Sequence, residues 1–277
     1  MITNDVTDIS PSTQHDDGLW ISTYYRGIEY LDITSGQFTH YNKNTVPGLP
    51  CEQTWTVLDG GDGNLYIGHV GSGFSILSLK DKSVKNFRNE AGNPMSLPGN
   101  DVFCIIKDTN GNIWLGTNKG LALYNAANEN FITFKKNKND KYDTLCSRIL
   151  SIRQLKDNKL WIASELNGIA ILNLKQSMFL SPEEISLEYI QEGDDSRSLS
   201  NASARCIFQD SFDNIWIGTW GGGINFISSK SPLFTTLSYS PILNNENSLN
   251  NKVASSLCMD RQGRVWIGTD GGGINVF

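Results

Sequence analysis

Short runs of apolar and β-branched residues recur along the chain, separated by clusters of Gly, Asn, Asp and Ser, and no helical period persists over ten residues. The stretch after Val102 is representative. "VFCIIK" predicts a strand, and "DTNGN" from Asp108 predicts a tight turn whose Asn-Gly pair tolerates positive φ. "IWLGT" from Ile113 predicts a second strand, "LALYN" after Gly120 a third, and "FITF" from Phe131 a fourth. Strands such as "IWIGT" from Ile215 are apolar at consecutive positions, so each small sheet must be covered on both faces.

The pattern is written six times. Its second strand carries an aromatic at Trp20, Tyr66, Trp114, Trp161, Trp216 and Trp266, at spacings of 46, 48, 47, 55 and 50 residues. One such unit cannot bury both of its faces, but stacked units can. The predicted fold is therefore all-β: a β-propeller of four-stranded antiparallel blades at about 4–46, 47–94, 95–143, 144–195, 196–245 and 246–277. A solenoid would have shorter repeats. Five copies hold a candidate fourth strand, beginning at Phe38, Val84, Phe131, Ile185 and Phe234. The sixth stops at "GGGINVF", so the last blade is expected to be incomplete, leaving an open edge near Phe277, and the chain reads as a single propeller or a fragment of one.

The repeat changes how "DNIWIGTWGGGIN" from Asp213 is read. Gly221, Gly222 and Gly223 after a strand could cradle a phosphate. However, Gly27, Gly73, Gly168, Gly223 and Gly273 all fall seven residues after the marker aromatic, and Gly120 falls six after it. A glycine in every copy points to a backbone requirement, either positive φ or close approach of a neighbour, and no cofactor is implied. Cys51, Cys104, Cys146, Cys206 and Cys258 form no CxxC and fall in different blades, so free thiols are expected.

Composition narrows the function. The chain has 277 residues and a net charge of −6, which disfavours binding through a basic face to nucleic acid. The loose cluster Lys135, Lys136, Lys138 and Lys141 reads as a solvated loop. No apolar run approaches a membrane span, no membrane contact is expected of this segment, and residues 1–20 lack an export-signal pattern.

Catalytic signals are weak. His15, His40 and His69 form no HExxH, and His69, standing where other copies have Thr or Ser, reads as a surface histidine at a blade end. The acidic loops at Asp59 and Asp108 lack the twelfth-position Glu of an EF-hand and read as hairpin turns, so no metal is expected. Binding fits better. In a propeller, the loops joining strands two and three share a face with those entering the next blade. Their varied residues are the candidate ligand contacts: Tyr24, Tyr25, Arg26, His69, Asn118, Lys119, Glu165, Asn167, Trp220 and Asp270. Aromatic faces flanked by amides and charges suit sugars. Trp220 is the sharpest candidate because its copy otherwise keeps the full scaffold; packing against a loop or another domain is the alternative.

The repeat "N-D-V…D-x-x-G-N-I-W-I-G-T-x-G-G-G-I" resembles the two-component regulator propeller repeat over essentially the whole chain. That resemblance implies the extracytoplasmic sensor region of a hybrid two-component system, periplasmic and held by an inner-membrane parent. Neighbouring propeller and β-sandwich modules would be its partners, alongside a histidine kinase that none of these residues supplies. It also implies an oligosaccharide ligand. The competing readings are a non-catalytic interaction or homodimerisation scaffold and a propeller lyase or hydrolase.

Overall fold

The computed structural model describes residues 5–134, 141–174, 185, 187–193, 197–240 and 248–277; Lys135, Lys136 and Lys138 of the lysine cluster lie outside the described residues. The chain forms two compact units, Met1–Thr133 and Phe134–Phe277.

The first unit contains three four-stranded antiparallel sheets in simple sequential order. They are β1 (Val6–Pro11), β2 (Gly18–Thr23), β3 (Gly27–Asp32) and β4 (Phe38–Tyr41), then β5 (Thr54–Asp59), β6 (Asn64–His69), β7 (Phe74–Ser78) and β8 (Val84–Phe87), then β9 (Val102–Lys107), β10 (Ile113–Thr117), β11 (Gly120–Asn125) and β12 (Asn130–Thr133). The second unit repeats the plan with β13 (Ile149–Gln154), β14 (Lys159–Ser164), β15 (Ile169–Asn173) and β16 (Leu187–Ile190), followed by β17 (Ala204–Gln209), β18 (Ile215–Thr219), β19 (Ile224–Ser228) and β20 (Ser231–Leu237). It ends in the three-stranded sheet β21 (Ala254–Met259), β22 (Val265–Thr269) and β23 (Gly273–Val276). These are propeller blades, with the last holding three strands, as the repeat predicts.

Burial follows the two-faced pattern. On β6, Leu65 and Ile67 join Trp20 and Ile28 of the preceding blade, while the intervening Tyr66 packs with Phe74, Ile105 and Phe131 on the other side. In the second unit, Ile217 packs with Ala163 and Ile169, whereas Trp216 turns to the cluster of Ile224, Val265 and Ile267. Each core thus lies between consecutive blades. A fully buried Leu or Ile contributes about 1.5–3 kcal/mol relative to exposure, so a blade gains most of its stability from its neighbours.

At one end of the blades, an aspartate closes the turn between the first two strands. Asp210 Oδ1 accepts the Phe212 and Asn214 amides, both at 2.9 Å, and Oδ2 accepts Asn214 Nδ2 at 2.9 Å and the Trp216 indole at 3.0 Å. Trp114 and Trp266 donate equivalently to Asp108 and Asp260, at 2.8 and 2.9 Å. The acidic loops are therefore clamps whose carboxylates bind their own turn. The other three copies depart from this plan, the second because its Tyr66 hydroxyl donates to Asp62 at 2.8 Å. Trp20 donates across to Asp59 of the next blade at 3.2 Å. In the fourth blade Leu155 takes the aspartate's place in the core, and the buried Trp161 indole has no hydrogen-bond partner among the described residues.

At the other end, the repeated glycine answers two demands. Gly223 has φ +75, and a Cβ there would run into the Leu237 carbonyl oxygen on the fourth strand. Gly273 has φ +80 but no atom within 4 Å of a notional Cβ, because its sheet has no fourth strand.

The two glycines should separate these costs. Gly223→Ala is expected to destabilise by about 2–5 kcal/mol, combining left-handed backbone strain with a steric clash, and Gly273→Ala by about 1–2 kcal/mol from the backbone alone; equal shifts in urea midpoint would contradict this. For the clamp, burial would raise the Asp210 pKa, but the bonds from Trp216 and Asn214 outweigh it and hold the group below its ordinary value. Its stabilisation is thus present above the unfolded value of about 4 and withdrawn as pH falls below it. Asp210→Ala should cost about 2–4 kcal/mol at neutral pH and less in acid, measured by urea denaturation at pH 7 and pH 3.

Candidate functional site

The loop joining strands two and three meets the loop entering the next blade through backbone hydrogen bonds. The Gly27 amide donates to the Glu52 carbonyl at 2.9 Å, Gly73 to Asn100 at 2.8 Å, Gly168 to Ala202 at 2.9 Å and Gly223 to Lys252 at 3.3 Å. The same loop is tied to its own blade: Tyr24 donates to Asp5 at 2.9 Å, and Trp220 to Ser203 at 2.9 Å. Both kinds of loop therefore share one rim within each unit, as predicted.

Just below this rim, every first strand carries a register irregularity with one extra residue: Thr7, Trp55, Phe103, Leu150, Arg205 or Ser255. A β-bulge of this kind redirects a side chain out of the strand's alternation. Sequence reasoning missed these positions. The signal was available, since the bulged residue differs in every copy while its flanks hold a strand pattern, but nothing in a single strand marks an extra residue.

The bulges assemble an aromatic run in the first unit. Trp55 meets Phe103 edge to face at 5.5 Å between ring centroids and Tyr24 at 6.2 Å, and Tyr24 meets Tyr25 at 4.7 Å. Phe103 is buried, Trp55 and Tyr24 are half-buried, and Tyr25 is exposed, so the run leads from the interior to solvent. In the second unit, Trp220 is 46% exposed, and the Arg205 guanidinium carbon lies 4.7 Å from its ring centroid.

The remaining candidates divide. Arg26, Lys119 and Asp270 are exposed. Asn118 is occupied structurally, its side-chain oxygen accepting the Asp101 amide at 3.3 Å, and Glu165 pairs with Arg148 at 3.3 Å. Asn167 donates through its side-chain amide to the Ser147 hydroxyl, and its carbonyl accepts from Gln191 at 3.0 Å.

His69 corrects the surface expectation. It ends β6 but is fully buried, because it fills the space that Thr23, Thr117 and Thr219 fill in other copies, where their hydroxyls bond the repeated glycine's carbonyl. Its Nε2 lies 2.8 Å from Ser75 Oγ, which donates to Asn86 Oδ1 at 2.6 Å, and its Nδ1 lies 3.5 Å from Cys51 Sγ. Burial pushes the imidazole down to about 4. The five cysteines are free thiols.

A cleft of about 550 Å³ lined by His15, Asp16, Asp17, Tyr30 and Asp32 lies at the far end of the first blade. It is a gap between hairpin turns, and two of its carboxylates are engaged: Asp17 accepts from Thr34 at 2.9 Å and Asp32 from the Ser35 amide at 2.9 Å.

The family model described as two component regulator propeller matches residues 96–119, 198–221 and 248–271. Histidine kinase P4 of Formosa agariphila is 33% identical over 94 residues, covering 32% of this chain and 7% of that protein. The solved extracellular domain of BT3049 from B. thetaiotaomicron, described as a hybrid two component system, is 62% identical. That match covers 100% of this chain and 33% of the other at a TM-score of 0.71, so the chain spans about a third of that relative. PorZ, a surface component of the type-IX secretion system of Porphyromonas gingivalis, is 16% identical with a TM-score of 0.74 over 99% of this chain and 38% of PorZ, a likeness of fold alone.

The buried imidazole carries a pH signature. Between its unfolded value of 6.5 and its folded value of about 4, only the unfolded chain takes up the proton, so stability falls as pH falls through that window. From pH 7 to pH 4.5 the native chain should lose on the order of 2 kcal/mol more than His69→Thr, read from urea midpoints; parallel losses would refute the assignment.

Proposed function

This chain belongs to the two-component regulator propeller family, and from that premise we propose that it is an extracytoplasmic ligand-sensing segment of a hybrid two-component signalling protein. The ligand class is an oligosaccharide, and the site is the rim where the bulged first strands and the loops between strands two and three converge. The observation that carries this reading is the aromatic run Tyr25, Tyr24, Trp55 and Phe103, graded from solvent to interior. Sugar C–H faces stack on such rings, and the surrounding loop amides and the exposed Arg26 supply directional partners for hydroxyl groups.

The segment itself is non-catalytic in this reading. Kinase chemistry belongs to other modules of a longer periplasm-facing, membrane-held chain. The rim sits on rigid blades, so ligand acts by favouring one arrangement of this segment against neighbouring modules. The shift in that equilibrium cannot exceed the ligand's differential affinity for the two arrangements.

Titration calorimetry with a panel of neutral and charged oligosaccharides tests the site. At least one member should bind saturably, and Trp55→Ala should weaken that binding about tenfold or more under conditions where urea denaturation shows the variant still folded. Absence of binding across the panel, together with concentration-dependent self-association in sedimentation, would favour a dimerisation scaffold instead.

A further inference from the structure

The second unit, at its own rim, presents a different chemistry from that of the first. Arg205 is the bulged residue of β17, where the other copies place Thr7, Trp55, Phe103, Leu150 and Ser255, none of them charged. Its strand is anchored on either side of the bulge: Ala204 is fully buried, Cys206 packs at Gly218, and the preceding Ser203 carbonyl accepts the Trp220 amide at 2.9 Å. The guanidinium is therefore delivered to a fixed place, stacked 4.7 Å from the Trp220 ring centroid.

Stacking holds the guanidinium without using its hydrogen-bond donors, which lie in its plane. Among the described residues, the Arg205 side chain has no ion pair and no hydrogen bond. Two acids of the preceding blade are otherwise engaged: Glu165 pairs with Arg148, and Glu192 accepts the Ala202 amide at 2.9 Å. A second cation, Lys252, belongs to the loop whose carbonyl receives the Gly221 and Gly223 amides beside Trp220. Asp270 is the one exposed carboxylate on the corresponding loop of the next blade. A half-buried guanidinium whose in-plane donors meet no carboxylate among the described residues can take one from a ligand.

We infer that Arg205 and Trp220 form a subsite for a uronic-acid residue, with the carboxylate held by the guanidinium edge and the pyranose ring against the exposed part of the indole. This rests on the oligosaccharide-sensing reading above and narrows its ligand to an acidic glycan. A carboxylate matches the fork of donors bidentately. A neutral hydroxymethyl or methyl ester at the same carbon keeps the ring contact and loses the charged one.

The experiment compares oligogalacturonides, oligomannuronates and glucuronoxylo-oligosaccharides with their methyl-esterified forms by calorimetry on the native chain, Arg205→Gln, Arg205→Lys and Trp220→Ala. At least one acid should bind the native chain about ten- to a hundredfold tighter than its ester, and that preference should shrink as sodium chloride rises from 0.05 to 0.5 M. Arg205→Gln should bring the acid to the ester's affinity and leave the ester unchanged. Arg205→Lys should fall between, because an ammonium keeps the charge without the fork, and Trp220→Ala should weaken both forms. Unchanged urea midpoints for the Arg205 variants show that the fold is intact. If acid and ester bind equally, or Arg205→Gln weakens both alike, Arg205 only positions Trp220 and the acidic-ligand inference falls, while oligosaccharide sensing stands. If no charged or neutral oligosaccharide binds, the sensing reading falls with it.

Discussion

A sheet that is apolar on both faces is stable only when something covers each face, and most features of this molecule follow from that constraint. In the first unit, Leu65 and Ile67 look one way and Tyr66 the other, so β6 contributes to two cores. No blade owns a core of its own. Polar groups are pushed to the blade ends, where the backbone turns and must satisfy its own donors and acceptors. The two ends answer differently. One uses a carboxylate that gathers turn amides and an indole, as at Asp210; the other uses glycine backbone, as at Gly223, whose amide reaches the next blade's entry loop.

This division of labour frees the glycine end to vary. Its loops are fastened by main-chain bonds, which any side chain permits, so residues such as Tyr24 and Trp220 can change without loosening the blades. The bulge beside them adds a redirected position per blade. Trp55 and Arg205 occupy the same structural place, yet one builds an aromatic run and the other a stacked cation. The scaffold thus carries diverse side chains on a repeated geometry.

Much of the fold was legible because the period repeats: Val102–Lys107 and Ile113–Thr117 are the strands that their β-branched runs predict. Gly223 was legible for the same reason, through recurrence rather than local sequence. The bulge was not, since Arg205 and Phe103 read as ordinary strand residues and only pairing register reveals the extra position. His69 misled because a histidine at a blade end suggests solvent; its burial depends on Ser75 and Asn86, which lie on two other strands. The candidate site was half visible: the loop candidates Tyr24, Tyr25 and Trp220 lie at the rims of their own units, while the residues they pack against, Trp55 and Arg205, come from first strands that carried no functional signal.

The bond from Trp20 to Asp59 differs from its counterparts in crossing between copies, and Asp59 also accepts the Thr13 amide at 3.0 Å and hydroxyl at 2.7 Å from the first blade. In a linear array, stability divides into what each repeat holds alone and what adjacent repeats hold jointly. Elsewhere the carboxylate belongs to the first share; here it is moved to the second. The opening two repeats are consequently bound into one cooperative block, since losing the second strips the first of the carboxylate that holds its turn.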